Sequence, residues 1–229
     1  MVKQQSTKIK QPSVSIIVPM RNSATTLVTT LQSIAKQNYP VKEIIIVDNV
    51  STDDSIQIAE AYKKKSKLPI LILKNKVNNG VGASYNRGVK KASSEFVIFM
   101  HSDSSLPTNS EIQKAVNPLI DASDVVGVYP TVVNPEKVWE TYNFWQKCLF
   151  ARAVGKPSPG FNGKFDCIRR DAFLKVGGFD EITFGRDVNI GGEDADLYLR
   201  LEAQGRMVLG KATVIHLHYL GPGYKLSNW

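Results

Sequence analysis

Four groups of residues in this 229-residue chain have the types and spacing for chemistry. His101, Ser102 and Asp103 follow directly on the apolar run 96–100. A carboxylate at the end of a strand can hold a divalent ion, which in turn holds a diphosphate. An aspartate there serves equally as a turn former or helix cap. Gly191 and Gly192 precede Glu193, Asp194 and Asp196, and behind these acids run Leu197, Leu199 and Leu201. Acids at that position complement a helix dipole; at the rim of a pocket, one of them is a carboxylate general base. His216 and His218 are two of the three histidines in the chain. Two apart on a strand, they share a face. A neutral imidazole there can complete an oxygen-rich metal site begun by Asp103, and without thiolates that mixture suits Mn2+ better than Zn2+. Asp48 and Asn49 end a further apolar run. They can hydrogen-bond a nucleobase or ribose, or form an Asx turn leading to Ser51 and Thr52.

These groups need a frame. The runs at 14–19, 43–48, 69–73 and 95–100 are continuously apolar rather than alternating. That pattern predicts a parallel sheet covered on both faces. Helical spacing falls between the runs. One helix is expected from a Ser23 cap to about residue 37, with Leu27, Leu31, Ile34 and Ala35 on one side. Another follows a Ser51/Thr52 cap, with Ile56, Ala59 and Tyr62, and a third spans 82–92. Ligands of such sheets bind outside the carboxyl ends of the strands, where residues 19–22, 48–51 and 101–103 fall. The second half is less regular. It predicts a strand at 125–129, a helix at 135–153 rich in aromatics, a loop at 156–163, a short helix at 169–176, a helix at 193–204 and a closing strand at 207–216.

Composition bounds the function. The length fits one large domain or two small ones. With 42% apolar and 22% charged residues, the chain is neither disordered nor collagenous. The net charge of +8 is local: Lys3, Lys8, Lys10, Lys63, Lys64, Lys65, Lys67, Lys74 and Lys76 lie in stretches without acids. Such lysines attract an anionic surface, or simply solvate a tail and a helix end. No nucleic-acid motif accompanies them. No apolar run nears the ~18 residues of a membrane span, and the start lacks the apolar core of a secretory signal. Cys148 and Cys167 form no disulfide or metal pattern, which points to free thiols in a reducing cytoplasm.

Taken in order, the motifs resemble a family 2 glycosyltransferase of the GT-A fold, from about Val14 to His216. Residues 14–22 resemble the opening strand with its Pro-x-x-Asn turn at Pro19 and Asn22. Residues 31–37 resemble the helix that follows, and 43–53 the nucleotide-binding Asp-Asp-Gly-Ser-Thr-Asp segment. Asn79 and Gly80, with Asn86 and Gly88, resemble the loop before the fourth strand. Residues 101–103 take the place of the Asp-x-Asp metal motif, while 175–181 and 193–194 resemble the Gly-Gly-Phe-Asp and Glu-Asp motifs. Three departures from the pattern matter. Asn49 replaces a second Asp, His101 replaces the first Asp of Asp-x-Asp, and Tyr85, Asn86 and Arg87 depart from the usual Arg-Asn order.

The resemblance implies an α/β GT-A nucleotide-diphospho-sugar transferase fold, with a mostly parallel central sheet flanked by helices in a single domain. That domain would span 13–220, with a nucleotide-binding half at 13–105 and an acceptor-binding half at 106–220. A flexible basic tail at 1–12 and a C-terminal tail at 221–229 would flank it. The implied activity is inverting, metal-dependent transfer of a sugar from a nucleoside-diphosphate sugar, a UDP-sugar first, to an acceptor hydroxyl. Asp194 would be the general base. Asp103 and His216 would hold Mn2+ or Mg2+. Pro19, Arg21, Asn22, Asp48, Asn49, Asn79 and Ser102 would bind the nucleotide. Trp139, Trp145 and Glu193 would face a saccharide or lipid-linked acceptor of polysaccharide or glycolipid assembly. The 139–150 aromatics also read as core packing, or as an interfacial helix that, with Lys147 and Arg152, makes a peripheral contact at the inner membrane face. The 155–163 loop reads as a lid. Two other functions compete: a nucleotidyltransferase, which would want a Gly- and Arg/Lys-rich signature after the first strand, and a non-catalytic nucleotide-sugar-binding protein.

Overall fold

A computed structural model describes residues 11–140, 142–150, 157–184 and 192–217. In chain order the elements are β1 (Val14–Met20), α1 (Leu27–Ala35), β2 (Val41–Asp48), α2 (Ser55–Lys65), β3 (Ile70–Lys74), α3 (Gly80–Lys91) and β4 (Phe96–Phe99). They continue with β5 (Ser104–Ser105), α4 (Glu111–Asp121), β6 (Val125–Val133), α5 (Glu136–Glu140), α6 (Phe144–Phe150) and β7 (Ser158–Pro159). The last are β8 (Asp166–Arg169), α7 (Arg170–Lys175), α8 (Glu193–Glu202) and β9 (Arg206–His216). The strands form one sheet in the order β3-β2-β1-β4-β8-β6-β9-β5, with β7 on β6.

The first half follows the expected parallel pattern. β1 pairs in parallel with β2 and β4, and β2 with β3. Successive residues of these strands face opposite helical layers. Ile16, Ile44 and Ile98 join the cluster under α1, α2 and α4, whereas Ile17, Ile45 and Phe99 join the one under α3, α7 and α8. Two-sided burial is why the strands read as unbroken apolar runs. Each side chain so buried contributes roughly 1.5–3 kcal/mol. Pro19 is tolerated inside β1 because β4 pairs only as far as Ile17, which leaves no partner for the missing N–H.

Several local expectations are corrected. α1 begins at Leu27, not at Ser23. The Ser23 hydroxyl instead meets that of Ser102 at 2.7 Å, tying two loops together. α2 begins at Ser55 rather than after Ser51 and Thr52. Those two residues are held by Asn22: its N–H donates to Ser51 Oγ, and its Oδ1 accepts from the Thr52 N–H. The single helix expected at 135–153 is two short ones, α5 and α6. Helix α4 and strands β5, β7 and β8 were not expected. β8 inserts antiparallel between β4 and β6. Residues 1–10, Arg152, Gly191, His218 and the 221–229 tail lie outside the described residues. No described helix is long and apolar enough to cross a membrane.

Candidate active site

A cleft of about 820 Å3 opens at the carboxyl ends of β1, β2 and β4, a size typical of small-molecule sites. Three loops build it. Pro19, Arg21 and Asn22 come from the end of β1, Asn49 from the end of β2, and His101, Ser102 and Asp103 from beyond β4. Asn78, Gly80 and Ser84 add a wall from the start of α3. The loops are cross-tied. Asn22 holds the 51–52 turn, Asp53 accepts from the Ala24 N–H, and Thr30 donates to the Ser102 carbonyl.

Asn49 is almost fully buried and lies in an amide chain. Its Nδ2 donates to Asn78 Oδ1 and its Oδ1 accepts from Asn75. Asn78 lines the cleft, while Asn79 is the residue that precedes α3. Asp48 is also buried, and its carboxylate accepts from the Ser51 N–H, closing the turn after β2. Arg87 points elsewhere: it donates to the Lys74 carbonyl and to Asn75 Oδ1. Tyr85 is fully buried, and its hydroxyl donates to the Gly163 carbonyl at 2.7 Å.

At one end of the cleft stands the acid–imidazole group. Ser104 pairs with His216 across β5 and β9, and the Leu217 N–H donates to the Asp103 carbonyl. This pairing joins residues 113 positions apart: His216 Nε2 is 3.2 Å from Asp103 Oδ2. His101 is the third member, with Nδ1 3.9 Å from Asp103 Oδ1. One ligand atom from each of the three lies within 4.8 Å of the other two. His216 Nδ1 is 3.2 Å from Asn134 Oδ1. With Nδ1–H donating there, the Nε2 lone pair and the Asp103 carboxylate face one another, an arrangement that wants a cation between them. Two imidazoles and one carboxylate therefore fit a divalent ion of the Mn2+ type. Asp103 and His216 are where the sequence places a metal. His101 joins them, although its type breaks the Asp-x-Asp pattern.

The acids of the Glu-Asp motif separate by role. Gly192 has φ +123°, a backbone only glycine adopts freely, and from it α8 starts. Glu193 accepts from the Gly192 N–H. Asp196 pairs with Arg200, which also donates to the carbonyls of Val176 and Gly178 and so fixes α8 against that turn. Asp194 is half-buried. Burial first, and the neighbouring Glu193 charge second, push its carboxyl up to about 6, with Lys164 pulling the other way. A carboxylate tuned to that value can take a proton near neutral pH. Burial first, and then the charges of Asp166, Asp194 and Asp103, push the Tyr85 hydroxyl well above its usual pKa, so all three acids act electrostatically on one buried phenol. Asp166 gave no sequence signal. It is fully buried at the start of β8, and burial pushes its carboxyl up to about 8.

Of the 139–150 aromatics, Trp139 is half-buried, 6.0 Å from Lys147 Nζ and beside Tyr142. Trp145 and Phe144 are 63% and 70% exposed. None of these lines the cleft.

The fold is the GT-A fold of solved glycosyltransferases. Comparison agrees: the sequence profile of "Glycosyl transferase family 2" matches residues 15–177, and the chain belongs to that family. It is 37% identical over 124 residues to the poly(ribitol-phosphate) beta-N-acetylglucosaminyltransferase TarS of Staphylococcus aureus. That match covers 52% of this chain and 21% of the relative, so the chain spans about a fifth of that protein's length. Among solved structures, the mannosyltransferase PcManGT of Pyrobaculum calidifontis, in complex with GDP-Man and Mn2+, superposes with a TM-score of 0.71 at 20% identity, covering 93% of this chain and 59% of that one. S. aureus TarS 1–349 in complex with UDP-GlcNAc gives 0.69 at 22%, covering 95% and 61%.

Proposed function

We propose that this chain transfers a sugar, with inversion, from a UDP-sugar to a hydroxyl of a saccharide or lipid-linked acceptor, with Asp194 as general base. The observation that carries the proposal is the gathering of His101, Asp103 and His216 at one end of a cleft built from three strand ends. His101, Asp103 and His216 would hold Mn2+ or Mg2+, which when bound supplies positive charge against the leaving diphosphate. Asn49 and the loop from Pro19 to Asn22 receive the nucleoside, and Arg21, exposed at the cleft, adds charge near the phosphates. Asp48 holds the turn that presents Asn49. Asp194 takes the acceptor hydroxyl's proton as that oxygen attacks the anomeric carbon from the face opposite the diphosphate. Trp145 and Trp139 offer ring faces for the acceptor, and Glu193 steadies the first turn of α8.

The test is turnover of UDP-GlcNAc and UDP-glucose, read as UDP release to water and to added acceptors. The parent chain is expected to release UDP slowly without acceptor, which a non-catalytic binding protein does not do. Asp194→Asn is expected to lose about a hundredfold or more in turnover, with UDP affinity nearly unchanged. Retained turnover in that variant removes Asp194 from the base role.

A further inference from the structure

We infer that Asp166 is a positioning residue for the His101–Asp103–His216 group: its carboxyl holds the 162–163 turn against the back of the His101 ring. The inference rests on the reading of that group as a metal centre. Asp166 Oδ2 accepts from two successive backbone N–H groups, Asn162 at 3.1 Å and Gly163 at 2.5 Å. The far side of the same turn is fixed by Tyr85, whose hydroxyl donates to the Gly163 carbonyl. Between these tethers Gly163 sits at φ +72°. A Cβ on it would lie 3.0 Å from His101 Nε2 and 3.2 Å from Tyr85 Oη. The bare glycine backbone is thus packed on the Nε2 side of the imidazole, while Nδ1 faces Asp103. A ligand ring that is free to swing binds a metal poorly, and groups that fix its orientation matter nearly as much as the ligands.

The form of the contact shows which chemistry is needed. Asp166 is fully buried, and among the described residues its Oδ1 has no hydrogen-bond partner. A charged carboxylate placed so would be costly, and burial pushes this one up to about 8. What the turn requires is an acceptor oxygen of the right length, not a charge. An asparagine supplies that oxygen and an isosteric amide; a leucine fills the space without it.

The experiment titrates the full 229-residue chain with Mn2+ alone and counts free Mn2+ by electron paramagnetic resonance, with thermal melts alongside. Asp166→Asn is expected to bind Mn2+ as the parent does. Asp166→Leu and Tyr85→Phe are expected to bind it about tenfold more weakly or worse, while still melting cooperatively. His101→Ala is the control. If it leaves Mn2+ binding intact, the metal reading fails and the inference with it. If His101→Ala weakens binding while Asp166→Leu and Tyr85→Phe do not, the metal centre stands and the inference is overturned. Should Asp166→Leu fail to fold, Tyr85→Phe decides the matter alone, because it deletes only the outer tether of the same turn.

Discussion

At the scale of single residues, environment sorts groups of identical type. Glu193, Asp194 and Asp196 stand in one helical turn, yet one accepts from a backbone N–H, one pairs with an arginine, and Asp194 has its carboxyl pushed up to about 6. That value carries a kinetic consequence. A general base acts as the carboxylate, so the active fraction falls about tenfold per pH unit below the pKa and levels off above it. Turnover is expected to rise with pH from 4.5, bend near 6 and stay flat to 8. The measurement is kcat at saturating Mn2+ and donor, so that the profile reports the bound complex and not metal or donor affinity. A flat profile across that range would mean that proton removal by Asp194 does not limit turnover. The sequence shows three acids behind two glycines, but not which of them is desolvated. That depends on what packs against the first turn of α8, which lies outside the local pattern.

At the scale of elements, legibility follows how much of each element's pattern is local. β1, β2 and β4 are buried on both faces and read directly as apolar runs. β8 is only four residues, starts with Asp166 and ends with Arg169, so its pattern shrinks to Cys167 and Ile168. It becomes a strand because β4 and β6 both pair with it. α4 carries Pro118 in its interior, a residue that reads as a breaker. Its burial of Ile112, Ala115, Val116 and Leu119 outweighs that signal. His216 meets Asp103 only through a two-residue bridge to β5, which no local pattern announces. The turn after β2 shows the reverse case, a local signal at odds with the fold. Val50 stands where the resembled motif has glycine, and the fold holds it at φ +63°. A β-branched residue there costs roughly 1–2 kcal/mol. Glycine regains this and loses roughly 0.5–1 kcal/mol to its freer unfolded chain. Val50 is 37% exposed, so the part of its side chain that is buried is forfeited too. Val50→Gly is therefore expected to stabilise by less than about 1 kcal/mol and to raise Tm by at most roughly 2–4 °C. A lower Tm in a thermal melt would mean that the side chain contributes packing worth more than the strain.

At the scale of the whole molecule, binding and stability are one measurement. The cleft joins loops from β1, β2 and β4, and its Asp103 edge meets His216 at the end of β9, so a ligand held at that edge restrains both halves of the sheet at once. A ligand at a hundred times its Kd adds about 2.7 kcal/mol to folding stability, or roughly 5–10 °C of Tm for a chain of this size. UDP with Mn2+ is expected to give a shift of that order, larger than the sum of the two separate shifts, because the diphosphate and the imidazole–carboxylate group share the ion. GDP, TDP and CDP should shift Tm less under the same conditions if the chain of Asn49, Asn75 and Asn78 selects the base. The net charge of +8 supplies a competing explanation, since any nucleotide can gather on exposed lysines. Salt separates the two. Surface attraction is screened within a few ångströms near 1 M ionic strength, whereas an ion gripped inside the cleft is much less affected. The Mn2+-dependent increment should therefore survive added NaCl, vanish with EDTA and be absent in His216→Ala, while the nucleotide-only shift persists in that variant. Equal shifts for all four nucleotides that salt abolishes together would assign the binding to the lysine-rich surface instead of the cleft.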